Sequence, residues 1–241
     1  MSLPNELLDH LRREGYHPRS NKHSDALSRA ILIDLMRNCP KISADAKADR
    51  LVFKMNHNVK FGRVTWNTDL AIGPPGPGGI PKSATRIEGM AKAVPVTVRM
   101  AIEHKAIMTE HGKARLNRQR DLEAHHAHVH DNDENAIAAG VFIINSSPTF
   151  RSPLRGVGVM TEHADPVSLV TMCMNALQDV TLSRRVGEAG LDAKCALVVN
   201  LDNIHLDAAV YMEKPPAPQP GEPLHWDSFI ARLCDLYTRR F

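Results

Sequence analysis

The sequence predicts an α/β protein: a mixed central sheet flanked by helices, with an N-terminal helical extension. Three stretches carry that expectation. From Val96 to Lys105, Val96, Val98, Met100, Ile102 and His104 fall on one face of a strand, and Thr97, Arg99, Ala101, Glu103 and Lys105 on the other. From Val64 to Gly73, Val64, Trp66, Thr68, Leu70 and Ile72 share one face, and Thr65, Asn67, Asp69 and Ala71 the other. Ala139–Asn145 is apolar nearly throughout, as a strand covered on both faces should be. Between the last two, Ala106 to about His130 holds no Pro and one Gly, and Ile107, Ala114, Leu122 and Val129 lie near one helical face.

In chain order, Asn5–Arg13 reads as a helix with Leu7, Leu8 and Leu11 inward. A second helix starts at a Ser24 cap, buries Leu27, Ala30, Ile31 and Leu35, and stops before Pro40. Ser43–Asp49 reads as a third. Residues 1–50 thus form a helical extension laid on the sheet, available to a dimer interface and carrying nothing catalytic. Leu51–Met55 is a first strand, and a loop with His57, Lys60 and Arg63 leads to the Asp69 strand. Gly73–Pro81 reads as a rigid connecting loop, in preference to one that admits a nucleic-acid backbone, because Pro cannot donate to a ladder and Gly weakens one. Ser83–Val94, with Arg86, Glu88 and Lys92, is a short helix or turn.

The core spans residues 51–145, and residues 146–214 add a helix and further strands. Asp165-Pro166 opens that helix, with Val170, Cys173, Met174 and Leu177 as its apolar stripe. Cys195–Leu201 reads as a buried strand and Ala208–Met212 as an edge strand. Residues 215–241 hold most of a Pro-rich spacer, Lys214–Pro223. A last helix follows, on which Trp226, Phe229, Ile230, Leu233 and Tyr237 recur at helical spacing and must dock on the body or on a partner.

A chain of 241 residues can bury a sizeable core as one domain, and 43% hydrophobic with 24% charged residues places it among soluble globular proteins. With no apolar run long enough to span a bilayer and no secretory pattern at its start, a cytoplasmic protein without membrane association is expected. Thirty basic against 27 acidic residues, a net charge of +3, permits nucleic-acid binding without requiring it. Cys39, Cys173, Cys195 and Cys234 show no C-x-x-C pair, which favours buried free thiols over a zinc site.

If the Asp69 and Glu103 strands pair, Asp69, Glu103 and Lys105 converge. Two carboxylates suit a hard divalent cation, and an ammonium stands beside it. An acid two residues before a lysine occurs three times here. Asp45-x-Lys47 lies in a helical stretch and Asp192-x-Lys194 precedes an apolar run; only Glu103-x-Lys105 ends one.

The order of acid-bearing strand, E-x-K strand, helix and buried parallel strand, together with T-D-L at Asp69 and E-H-K at Glu103 and Lys105, resembles the PD-(D/E)xK nuclease superfamily, the fold of many type II restriction endonucleases. The resemblance covers about Leu51 to Asn145. It implies a restriction-endonuclease-like sheet and Mg²⁺, replaceable by Mn²⁺, held by Asp69, Glu103 and the main-chain carbonyl of His104. It also implies that Lys105 assists the attacking water, with double-stranded DNA as substrate and a homodimer as the working form. Glu88 stands nearest in sequence to supply the accessory acid that some members use. Lys113, Arg115 and Arg118 of the helix, and Arg151 and Arg155 in the polar loop after the buried strand, are the expected DNA contacts.

Three alternatives stay open: a DNA repair or junction-resolving nuclease of the same fold, a non-catalytic DNA-binding protein, and a zinc protein built on His125, His126, His128 and His130. In the last, His126 and His130 stand four apart on one helical face. Histidines near a helix end more often favour its dipole, and no Glu stands between them as in a zinc protease motif.

Overall fold

The computed structural model describes residues 3–61, 64–156 and 158–241. Three helices, α1 (Asn5–Glu14), α2 (Lys22–Asn38) and α3 (Pro40–Lys47), lead into the hairpin β1 (Val52–Phe61) and β2 (Val64–Gly73). The short strands β3 (Arg86–Ile87) and β4 (Met90–Lys92) precede β5 (Met100–Ile107), α4 (His111–Asn132) and β6 (Ile137–Asn145). Then come β7 (Thr149–Phe150), β8 (Thr161–Glu162), α5 (Pro166–Asp179), β9 (Ala193–Asn200), β10 (Val210–Tyr211) and α6 (Trp226–Arg240).

Among the described residues, eight strands form one mixed sheet in the order β10-β9-β6-β5-β2-β1-β4-β3, and β7 pairs with β8 apart from it. The run β1-β2-β5 is antiparallel, and β5, β6 and β9 are parallel. Parallel neighbours need crossovers, which α4 and α5 provide. Helices cover both faces of the sheet. Leu27, Ile31 and Leu35 of α2 and Trp226, Phe229 and Leu233 of α6 pack with Ile72, Met100, Ile102, Val141, Ile143 and Leu197. On the opposite face Leu122 and Val129 of α4 and Val170, Cys173 and Leu177 of α5 pack with Ala101, Phe142, Ile144 and Val198. Every residue of β6 is buried, as its unbroken apolar run requires. The last helix therefore docks on its own body, and its Tyr237 hydroxyl donates to Asp45 at 3.0 Å. The stretch before it is folded in as well, with Ala217 buried.

Several boundaries differ from expectation, each for a local reason. The strand expected over Val96–Lys105 begins at Met100 and runs to Ile107. Val96 is exposed and Val98 packs on the α4 side, whereas Met100 and Ile102 face α2. His57 and Lys60 lie in β1 and not in a loop, and Arg63 lies outside the described residues. Of the helix or turn expected for Arg86, Glu88 and Lys92, the structure has the turn, in a tight antiparallel hairpin. Gly73 ends β2 where a Cβ would lie 1.9 Å from the carbonyl oxygen of Thr97, so the first residue of the Gly/Pro run serves chain packing.

The single-face reading of β2 also fails. Leu70 and Ile72 join the α2 side but Trp66 joins the α4 side, and β1 does the same with Phe53 and Val59. Both reversals straddle one rung. The pairing runs Met55↔Leu70 and His57↔Thr68, and between them Asn56 has a left-handed φ of 49°. Asn tolerates that region better than a branched residue, and its side-chain amide donates to Asp25 at 2.6 Å. The opposing position on β2 is Asp69.

The cysteine expectation is corrected in part. Cys173 and Cys195 are buried free thiols, but Cys39 and Cys234 form a disulfide between the end of α2 and α6, their Cα atoms 5.4 Å apart. The two stand 195 residues apart in sequence, so no local spacing announces the pair.

Candidate active site

Asp69 and Glu103 sit on adjacent antiparallel strands just beyond the paired rung Leu70↔Ile102. The interrupted rung at Asn56 lets the Asp69 carboxylate reach across the sheet. One oxygen accepts from the Ser24 hydroxyl of α2 at 2.6 Å, and the other from the main-chain N–H of His104 at 2.6 Å. His104 itself points toward α2, its Nδ1 3.2 Å from Ser24 Oγ and its Nε2 buried without a partner.

Glu103 and Lys105 project from the other face, under α4. The Lys105 ammonium donates to Glu103 Oε1 at 2.6 Å and lies 3.8 Å from Asp121 of α4, which in turn takes Arg118 at 2.9 Å. Glu103 Oε2 is buried with no hydrogen-bond partner, and His125 Nδ1 lies 4.0 Å from it. His125 is fully enclosed, with Nε2 3.4 Å from the carbonyl of Ala101 and its ring edge on Trp66. A carbonyl accepts only, so Nε2 carries the proton and the Nδ1 lone pair faces Glu103. Burial drives the His125 pKa down to about 3, so the ring gives Glu103 no charge.

Glu103 is consequently the electrostatically strained member. Burial first, and then the negative charge of Asp69, push its pKa up to about 7, while the Lys105 ammonium pulls the other way. A carboxylate oxygen with no donor, beside a second acid, is a donor set short of positive charge. That suits a hard divalent cation, which commonly takes one or two carboxylates and leaves the rest of its shell to water and phosphate. Among the described residues no three His, Cys, Asp or Glu side chains are grouped to hold a metal ion, so any cation here would rest on the two carboxylates and a carbonyl.

Glu88 does not join them. It sits at the turn between β3 and β4, at the far edge of the sheet, paired with Arg37 at 2.6 Å. The other two acid-x-lysine patterns are structural. Asp45 is held by Arg50 and Tyr237. Asp192 is buried against Arg240 and His130, and Lys194 caps the end of α5 through the carbonyls of Leu177, Gln178 and Val180. The four histidines of α4 fall into two directions: His125 turns to Glu103 and His128 stacks on Trp66, while the His126 and His130 rings stand 6.2 Å apart, His126 accepting from the Gly190 amide and His130 pairing with Asp192.

Of the expected DNA contacts, Lys113 and Arg118 line a groove of about 340 Å³ with Asn117, Tyr16 and Ser152, close to Lys105 through the Arg118–Asp121 pair. Arg115 bonds within its own helix to the carbonyl of Gly112. Arg151 donates to the carbonyl of Asn203 and Arg155 to Glu110, so both guanidinium groups are partly engaged by the protein.

Ser24, Asp121 and His125 were not legible as site residues. Ser24 is not the helix cap; α2 starts two residues earlier, and the hydroxyl is used 45 residues away. Ser24→Ala removes the donor that fixes the Asp69 carboxylate. The expected result is about tenfold weaker binding of a divalent cation by calorimetry, the scale of losing a supporting hydrogen bond at a metal site, with the fold unchanged. Compared with family models, curated proteins and solved structures, the chain matches none. Its site is therefore read from geometry. No helix among the described residues is long and apolar enough to cross a membrane.

Proposed function

We propose that this chain is a metal-dependent endodeoxyribonuclease of the PD-(D/E)xK type, a type II restriction endonuclease that hydrolyses phosphodiester bonds of double-stranded DNA as a homodimer. The observation that carries the reading is the Lys105–Glu103 contact beside Asp69, across an antiparallel pair whose next strand, β6, is parallel and reached through α4. The restriction-endonuclease-like arrangement expected from the sequence has that same element order.

Asp69, Glu103 and the His104 carbonyl are the groups that would hold Mg²⁺, with Mn²⁺ as substitute. When bound, the cation supplies positive charge against the scissile phosphate and makes water more acidic. The Ser24 hydroxyl and the His104 amide keep the Asp69 carboxylate in one orientation, so little reordering accompanies binding. Lys105 carries a proton donor to the place where a water would attack, orients that water and stabilises phosphoryl charge as it builds. Asp121, 3.8 Å from the ammonium, holds it from the helix side. Lys113, Asn117 and Arg118 give the adjacent groove donors for the DNA backbone.

The test is incubation with plasmid and phage DNA in Mg²⁺ and in chelator. Discrete bands that chelator abolishes support restriction, and a smear supports a non-specific nuclease. Intact DNA in both conditions overturns the catalytic reading.

A further inference from the structure

At the opposite end of α4 from these four histidines, two others come together. His111 opens α4 and His163 follows β8, their ring centroids 4.7 Å apart and their planes nearly perpendicular at 88°. Each ring is pinned by a main-chain carbonyl from the segment that ends β6: His111 Nε2 lies 2.8 Å from Asn145 O, and His163 Nδ1 2.6 Å from Ser147 O. A carbonyl oxygen only accepts, so those two nitrogens carry the protons and His111 Nδ1 and His163 Nε2 present lone pairs.

Both lone-pair nitrogens are buried without a partner, and so is the Thr161 hydroxyl, two residues before His163. All three residues line one pocket of about 500 Å³, with Glu110, Lys113 and Glu162 at its walls. These orphaned polar atoms belong to residues that line one pocket, and a bound group that met them would relieve a cost on the order of 1–3 kcal/mol for each buried unpaired polar group. Two acceptors cannot satisfy each other, and one hydroxyl proton serves only one of them.

We propose that His111 and His163, with the Thr161 hydroxyl beside them, form a binding site for a borderline divalent transition ion of the Zn²⁺ class. Neutral imidazoles whose second nitrogen donates to a main-chain carbonyl are the form in which histidine ligates such ions, the carbonyl fixing tautomer and ring orientation. Imidazole nitrogen selects zinc, copper or nickel over Mg²⁺, which sets this pocket apart from the carboxylate pair at Asp69 and Glu103. Two imidazoles leave the other positions to water, because among the described residues no third His, Cys, Asp or Glu side chain is grouped with them. An exchangeable ion of micromolar affinity is therefore expected. Its place gives it a structural consequence: it ties the first turn of α4 to the segment after β8, beside the groove that carries Lys113.

The experiment uses chelator-stripped full-length protein carrying Asp69→Asn and Glu103→Gln, so that ions at the carboxylate pair do not contribute. Zinc titration by calorimetry should give one equivalent, with a rise in Tm, and neither effect should appear with Mg²⁺. His163→Ala and His111→Ala should each weaken zinc binding by at least about tenfold, the scale seen even for supporting groups at metal sites. Where either variant fails to fold, zinc-soaked crystals of the stripped protein should show an anomalous peak between the two rings. No zinc uptake, uptake unchanged by both substitutions, or an anomalous peak elsewhere with none between the rings overturns the site.

Discussion

Lys105→Ala is expected to lower cleavage by about a thousandfold while DNA binding changes only severalfold, because removing one preorganised donor aimed at developing charge costs ~10²–10³ in rate. The structure makes the expectation more specific. Lys105 is held from two sides, by Glu103 Oε1 at 2.6 Å and Asp121 at 3.8 Å, so its ammonium is placed before any substrate arrives. Its loss also removes the strongest influence holding the Glu103 pKa down, so the variant's Glu103 titrates even higher than about 7. Cation binding at neutral pH then weakens for a reason unrelated to chemistry. Measuring at pH 9 separates the two effects: cation affinity returns in the variant, and turnover does not. A variant that cuts at the parental rate at either pH would remove Lys105 from the mechanism.

The elements most legible in the sequence are those whose pattern is set by burial alone. The unbroken apolar run of β6 and the Asp165-Pro166 opening of α5 stand where expected, and the aromatic stripe of α6 is buried as its spacing requires. Patterns broken by a single backbone residue were not legible. Asn56, at φ 49°, reverses the facing of both strands of the first hairpin, and nothing in an alternating string marks that reversal. Residues 69, 103 and 105 could be set beside one another from the sequence because strand register, Leu70 opposite Ile102, brings them together. Ser24, Asp121 and His125 reach the same place by helix packing, which has no fixed offset in sequence. The disulfide of Cys39 with Cys234 and the pair His111–His163 are hidden for the same reason: each joins chain segments that only the folded layers bring close.

Cation affinity should fall about thirtyfold between pH 8 and pH 5.5, the loss that follows when a ligand of pKa about 7 must shed its proton before binding. The sign follows from where the proton sits. In the unfolded chain Glu103 titrates near the usual 4.5, and in the folded, cation-free protein near 7. Between those values the folded form keeps a proton that the unfolded form has released. This group's contribution to stability is therefore complete below about pH 4.5 and is lost as pH rises through 7, on the order of 3 kcal/mol in all. A divalent cation reverses that trend. It replaces the proton at the carboxylate, so cation-bound protein should gain most in Tm at alkaline pH, where the cation-free protein is weakest. Calorimetric titration in buffers of different ionisation enthalpy counts the proton directly. About one should be released per cation at pH 6 and almost none at pH 9, and Glu103→Gln should abolish the release together with tight binding. Release of no proton at pH 6 would mean that Glu103 is not the group the cation meets, and the carboxylate pair would lose its role.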